Sequence, residues 1–224
     1  MGWLDDKHSF LVSALRLGRG WFTREGVGAR PAQLLELYEF EACPYCRKVR
    51  EHLSELDLEY LAHTMAKGSA AREQLKARGG KVQLPYLVDP NTDAELYESE
   101  DIIDYLHQRY GSGRSRWWRG LAPLNTLGAG LAGALRPRGG RARVGRAEQP
   151  RQLLELFNFE ASPYCRKARE ALCELDLDYI VRNVAKKSPR RAELVARGGK
   201  MMVPYLVDPN THAEMYESDD IVRY

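Results

Sequence analysis

The sequence predicts an α/β protein in which one β-α-β-α-β-β-α unit is used twice in tandem. Three observations carry that expectation. The stretch Gln33 to Tyr105 returns as Gln152 to Tyr224 with no insertion or deletion and roughly two-thirds of its positions identical, the mark of a duplicated structural unit. Within each copy, short apolar runs alternate with segments whose apolar residues fall at helical spacing. At the same strand-to-helix turn in each copy stands a thiol-bearing motif. It reads Phe40-Glu41-Ala42-Cys43-Pro44-Tyr45-Cys46-Arg47-Lys48 in the first and Phe159-Glu160-Ala161-Ser162-Pro163-Tyr164-Cys165-Arg166-Lys167 in the second.

In chain order, residues 1–31 form a leading segment. Leu4, Phe10, Leu11, Ala14, Leu15 and Trp21, within Trp3 to Phe22, gather on one helical face expected to dock on the protein's own surface, and a basic loop follows. Residues 32–111 make the first domain. Its expected elements are a strand (33–40), a helix (44–56) with Tyr45, Val49, Leu53 and Leu56 on one stripe, a strand (58–63), a helix (69–78), two strands (84–88 and 94–97) and a helix (99–110). Gly79-Gly80 ends the second helix, since glycine past a helix end takes the left-handed conformation at little cost. A helix separates the first two strands, so they should run parallel. Asp89-Pro90-Asn91-Thr92 is turn chemistry that makes the last two an antiparallel hairpin.

Residues 112–150 read as an Arg/Gly-rich linker, with Arg114, Arg116, Arg119, Arg136, Arg138, Arg141, Arg143 and Arg146 set against the single acid Glu148. Leu121 to Leu135 has a weak helical pattern, and Leu131 to Arg136 echoes Leu11 to Arg16, so the duplicated unit includes a helix ahead of each domain. Residues 151–224 are the second domain, whose last helix is expected to stop a turn or two earlier than the first copy's.

Composition narrows the functional classes. With 224 residues, 44% of them hydrophobic and 29% charged, the chain suits two small globular domains, and a net charge of +3 is too small to argue for nucleic acid. The four cysteines (Cys43, Cys46, Cys165, Cys173) are too few for a disulfide scaffold. Asp5 and Asp6 stand where a secretory signal needs basic residues, so a reducing, cytoplasmic setting is expected. No run reaches the roughly 18 apolar residues of a membrane span. The Arg-rich linker is read as a solvated tether, with weak contact to anionic surfaces as the alternative.

A Cys-x-x-Cys at a strand-to-helix turn points to redox chemistry; inert cysteines or half a zinc site are the alternatives, and neither a second such pair nor a His pair at ligand spacing is present. Cys43 begins a helix, where exposed amide groups and the helix dipole favour thiolate, and Arg47 and Lys48 add positive charge. Cys46, one turn on, is placed to attack a mixed disulfide formed by Cys43. Pro44 suits the first helical turn. Cys173, two turns beyond Cys165, is too far along one straight helix for a disulfide and reads as a core residue. Gly128 to Gly133 fits a G-x-G-x-x-G pattern without the strand a dinucleotide site requires. His8, His52, His63, His107 and His212 show no metal spacing.

Both copies resemble the glutaredoxin and glutathione-transferase N-terminal branch of the thioredoxin superfamily. Cys43-Pro44-Tyr45-Cys46 resembles the glutaredoxin active site, Leu84-Pro85-Tyr86-Leu87-Val88-Asp89 the strand with a cis proline, and Tyr97-Glu98-Ser99-Glu100-Asp101-Ile102 the transferase glutathione motif. The resemblance implies thioredoxin-like domains that use glutathione. Tyr45, Leu84, Pro85, Glu98 and Ser99 would bind it in the first copy, and Val203, Pro204, Glu217 and Ser218 in the second. Leu84 would offer its backbone to the cysteinyl part, and Glu98 and Ser99 would hold the γ-glutamyl end. Ser99 is also an ordinary helix cap. Cys43 and Cys46 become a catalytic pair acting on a disulfide or glutathionylated substrate. Ser162 and Cys165 are their counterparts, either a serine-type transferase site or a vestige. The resemblance leaves two further alternatives: glutathione transfer to an electrophile, and a non-catalytic module that binds glutathione or an iron–sulfur cluster.

Overall fold

The structure is a computed structural model and describes residues 19–24, 28, 30–113, 139–145 and 147–224. The first copy contains β1 (Leu35–Glu39), α1 (Pro44–Glu55), β2 (Tyr60–Thr64), α2 (Ala71–Gly79), β3 (Tyr86–Asp89), β4 (Ala94–Leu96) and α3 (Ser99–Tyr110). The second repeats the order as β5 (Leu154–Asn158), α4 (Pro163–Glu174), β6 (Tyr179–Asn183), α5 (Arg190–Gly198), β7 (Tyr205–Asp208), β8 (Ala213–Tyr216) and α6 (Ser218–Arg223). β1 and β2 run parallel and β3–β4 form the antiparallel hairpin, as the spacing predicts. The helices expected ahead of each copy, the linker's G-x-G-x-x-G stretch and most of its arginines lie outside the described residues.

The two copies share one sheet. β2 pairs antiparallel with β6, Leu61 facing Ile180, and the strands run in the order β4-β3-β1-β2-β6-β5-β7-β8. Because Leu61 and Ile180 are equivalent positions, a pseudo-twofold axis passes between them. On the face covered by α1, α3, α4 and α6 a single core crosses the seam, with Leu35, Leu37, Val49, Leu53 and Tyr60 from one copy and Leu154, Leu156, Leu172 and Tyr179 from the other. On the opposite face each copy keeps a small core of its own, around Leu75 and Tyr86 or around Leu194 and Tyr205. Burial on both faces leaves only Glu36 in β1 and Glu155 in β5 partly exposed.

The segment ahead of each copy crosses to the other. Phe22 bridges Lys186 of the second copy, and Ala142 bridges Lys67 of the first. Gly20 and Gly140 turn these crossings at φ +75 and +63, and a Cβ on Gly140 would come within 2.8 Å of the Cβ of Glu41. Only glycine meets both demands. The second copy's α6 is six residues long against twelve for α3. A cavity of about 250 Å³ is lined by Leu154, Leu172, Leu206 and Asp208.

Candidate functional site

Cys43 occupies the N-cap of α1, with extended backbone (φ −70, ψ 121), and its Sγ accepts the Cys46 N–H at 3.2 Å. The hydrogen bond from the Cys46 side chain, helped by the amides of Cys46 and Tyr45 and by the charge of Arg50, holds the Cys43 thiol below its ordinary pKa against the upward push of burial. Burial, and then Cys43 itself, push Cys46 well above. The two shifts run in opposite directions, so Cys43 is the sulfur of the pair that ionises more readily. The positive charge comes from a different residue than expected: Arg47 turns towards Glu160 (3.8 Å) and Lys48 pairs with Glu100 (2.5 Å). In the second copy Ser162 repeats the cap geometry, its Oγ accepting the Cys165 N–H at 3.2 Å, while burial raises Cys165.

The remaining candidates converge on the same end of the sheet. Tyr38 of β1 faces Tyr86 of β3, so Pro85, just before Tyr86, lies beside the loop that carries Cys43. The peptides Leu84–Pro85 and Val203–Pro204 are both cis. The Lys48–Glu100 pair brings the start of α3 to the start of α1, and Lys167–Asp219 (2.7 Å) does the same for α6 and α4. Glu98, not Ser99, is the N-cap of α3, and makes no side-chain cap bond; Ser99 is the first helical residue and is buried. Glu98 and Glu217 sit at φ +62 and +68, a conformation that costs a non-glycine residue about 1–3 kcal/mol and persists where surroundings over-determine it. Glu98 is exposed and accepts from Gln83, whose place in the second copy is taken by Met202. Tyr45 is 49% exposed at the mouth of the first motif.

Sequence reasoning missed a buried ionic layer behind the two motif loops. Arg50 Nε lies 3.0 Å from Glu160 Oε2, and Arg169 Nε lies 3.0 Å from Glu41 Oε2, so each copy's arginine pairs with the other copy's motif glutamate. All four side chains are 4% exposed or less. Although burial pushes Glu41 and Glu160 up, Arg169 and Arg50 hold both below the ordinary carboxylate range. Glu39 also pairs with Arg50, but burial dominates and raises it; its counterpart Asn158 accepts instead from Arg169 at 3.1 Å. One signal was available in the sequence. Glu41, Arg50, Glu160 and Arg169 are charged in both copies although the helix positions neighbour the apolar stripe of Val49 and Leu53.

Beside the second cap, Trp21 and Val203 both pack against the cluster of Phe159, Ala161 and Ala185, the Trp21 ring 5.6 Å from Phe159 in an edge-on arrangement. Trp21 and Arg141 hold the same place in the two crossings, since the carbonyl of each accepts from the lysine that the following residue bridges, and Arg141 is exposed. The second cleft thus gains an aromatic wall where the first has a charged, solvated residue.

A thiol at a helix cap, a cis proline beside it and a second helix start facing both define a thioredoxin-like fold. The family model for the glutathione S-transferase N-terminal domain matches residues 37–115 and again 156–224. The chain belongs to that family and carries its domain twice. No curated protein gives a significant match. Among solved structures the chain is similar to a Leishmania protein, TDR1, described as a unique trimeric glutathione transferase. The two are 15% identical with a TM-score of 0.33, over 86% of this chain and 66% of that one. Among the described residues no helix is long and apolar enough to cross a membrane.

Proposed function

We propose that the first copy is a glutathione-dependent thiol–disulfide oxidoreductase of the cytoplasm. The observation that carries this reading is the split within one Cys-x-x-Cys: Cys43 is lowered towards thiolate by donors at the helix cap, and Cys46 is buried and raised. Cys43 thiolate attacks the glutathionyl sulfur of a mixed disulfide, forming a Cys43–glutathione disulfide and releasing the substrate thiolate, which takes up a proton. A second glutathione thiolate attacks the bound glutathionyl sulfur, releasing Cys43 thiolate and glutathione disulfide; alternatively Cys46, after losing its proton, attacks Cys43 Sγ and releases glutathione thiolate, leaving a Cys43–Cys46 disulfide that two further glutathiones reduce as they become glutathione disulfide. Glutathione suits the surrounding groups: the exposed Glu98 carboxylate complements its ammonium, the start of α3 with Ser99 its γ-glutamyl carboxylate, and the backbone of Leu84 its cysteinyl amide. Glu217, Ser218, Val203 and Pro204 offer the second copy a similar set.

Reduction of a glutathionylated peptide by wild type and Cys43→Ser tests this reading, with loss of turnover expected; full activity in the variant would sink it. A second reading, glutathione transfer at the second copy, is favoured by Ser162 Oγ at the cap and the Trp21 wall beside Val203. It is tested by conjugation of an aromatic electrophile in Ser162→Ala.

A further inference from the structure

We infer that Glu160 of the second copy positions Arg50 under the loop carrying Cys43, so that the second copy is a working part of the first copy's thiol site. The inference rests on the reading of Cys43 as nucleophile. Arg50 lies seven residues along α1 from Cys43, two turns on and on the same face. Its Nη2 donates to the main-chain oxygen of Glu41 at 3.2 Å, two residues before the nucleophile. That bond pins the loop only while the guanidinium is held in place.

Glu160 supplies the hold with both carboxylate oxygens, accepting from Nε at 3.0 Å and Nη2 at 3.3 Å. Such a planar fork fixes orientation as well as distance. Glu39 and Glu41 close on the remaining donors, and Arg50 is 1% exposed. Glu160 is itself braced by Arg169 at 3.0 Å. The second copy lacks a nucleophilic sulfur at Ser162 yet retains Glu160 and Arg169, which also pair with Arg50 and Glu41 of the first copy. Glu160 is thus a positioning residue acting through Arg50, and the charge of Arg50 is among the groups that favour the Cys43 thiolate.

The sign of the effect separates positioning from simple charge. Deleting a carboxylate near a thiolate should lower the thiol's pKa, whereas releasing Arg50 should raise it. The experiment follows iodoacetamide alkylation of Cys43 against pH in the full chain, resolved from the other cysteines by peptide mass spectrometry. Glu160→Gln is expected to raise the midpoint by about half a unit, roughly a threefold slower reaction below it. Glu160→Asp keeps the charge, shortens the reach by one methylene and should move the midpoint the same way. In an Arg50→Lys background, Glu160→Gln should add no further shift.

A lowered midpoint in Glu160→Gln with Glu160→Asp at the wild-type value, or shifts that add to that of Arg50→Lys, would overturn the inference. Circular dichroism checks each fold, and if the Gln variant does not fold, the charge-retaining Asp variant decides alone. Failure of wild-type Cys43 to react ahead of Cys46, Cys165 and Cys173 would instead overturn the reading of the nucleophile, a distinguishable result.

Discussion

The two motif loops share one backbone and differ in chemistry. At Cys43 and Ser162 the cap torsions agree to within a degree and the accepted hydrogen bond is 3.2 Å in both, yet only the first atom is a thiol. Behind them, Glu39 gives way to Asn158; beside them, Gln83 gives way to Met202 and the exposed Arg141 to the half-buried Trp21. Helix capping and strand pairing are backbone properties that tolerate these exchanges, and so one fold carries a polar thiol cleft and an apolar hydroxyl cleft. The contrast ends at the ionic layer, where Arg50, Arg169, Glu41 and Glu160 are reciprocal.

The strongest way to break the contrast is to exchange the caps. Cys43→Ser should abolish disulfide reduction. Ser162→Cys should create a second alkylatable thiol, because donors at the start of α4 already point at that atom; no labelling of residue 162 would mean that the caps are not equivalent. For wild-type Cys43 the reactive species is the thiolate and its pKa is lowered. Alkylation should therefore persist as pH falls below the ordinary cysteine range and decline only beneath it; a midpoint at or above the free-thiol value would count against the site.

Arg169→Met should cost about 3–5 kcal/mol in denaturant unfolding, because it leaves Glu41 and Glu160 buried with one cation fewer. As the sheet and core are continuous, that loss should appear in a single transition; a separate unfolding of the second copy would show that the seam does not couple the two. Smaller again is the effect expected at the glutathione motif. Glu98→Ala should weaken glutathione binding roughly tenfold with the fold intact, the scale of one charge-assisted hydrogen bond. Calorimetry on Glu98→Ala and Glu217→Ala would show whether both clefts bind, and unchanged affinity in the first would remove Glu98 from the site.

The smallest effect lies at the seam's two ends. His63 sits 2.7 Å from Asp178 and 3.3 Å from Glu36, where its counterpart Arg182 sits 3.3 Å from Glu59 and 2.9 Å from Glu155. Arginine offers a planar fork of donors that can serve both carboxylates at once. His63→Arg should therefore stabilise the protein by up to about 1 kcal/mol in denaturant unfolding. A loss of stability would contradict this account.

Much of the site is legible in the order of the amino acids. Pro44, Gly80, Asp89-Pro90-Asn91-Thr92 and the apolar stripes impose local geometry that does not depend on distant partners, and each element lies within about two residues of its expected bounds. The cap position of Cys43 is legible for the same reason, because the helix it opens is written in the residues that follow it. Arg50 is not. A charged residue beside an apolar stripe reads as solvated until a partner 110 residues away is brought against it.

What this sequence determines by itself is therefore the repeated unit, its strand and helix order, and the cap atom that separates one copy from the other. Tertiary structure alone decided that β2 meets β6, that the leading segments cross, and that the arginines are paired between copies. The physical reason is the range of the forces involved. Torsional preference and capping act within one turn and are written in neighbouring residues, whereas the choice of sheet edge and the pairing of buried charges depend on which desolvated groups meet once the chain has closed.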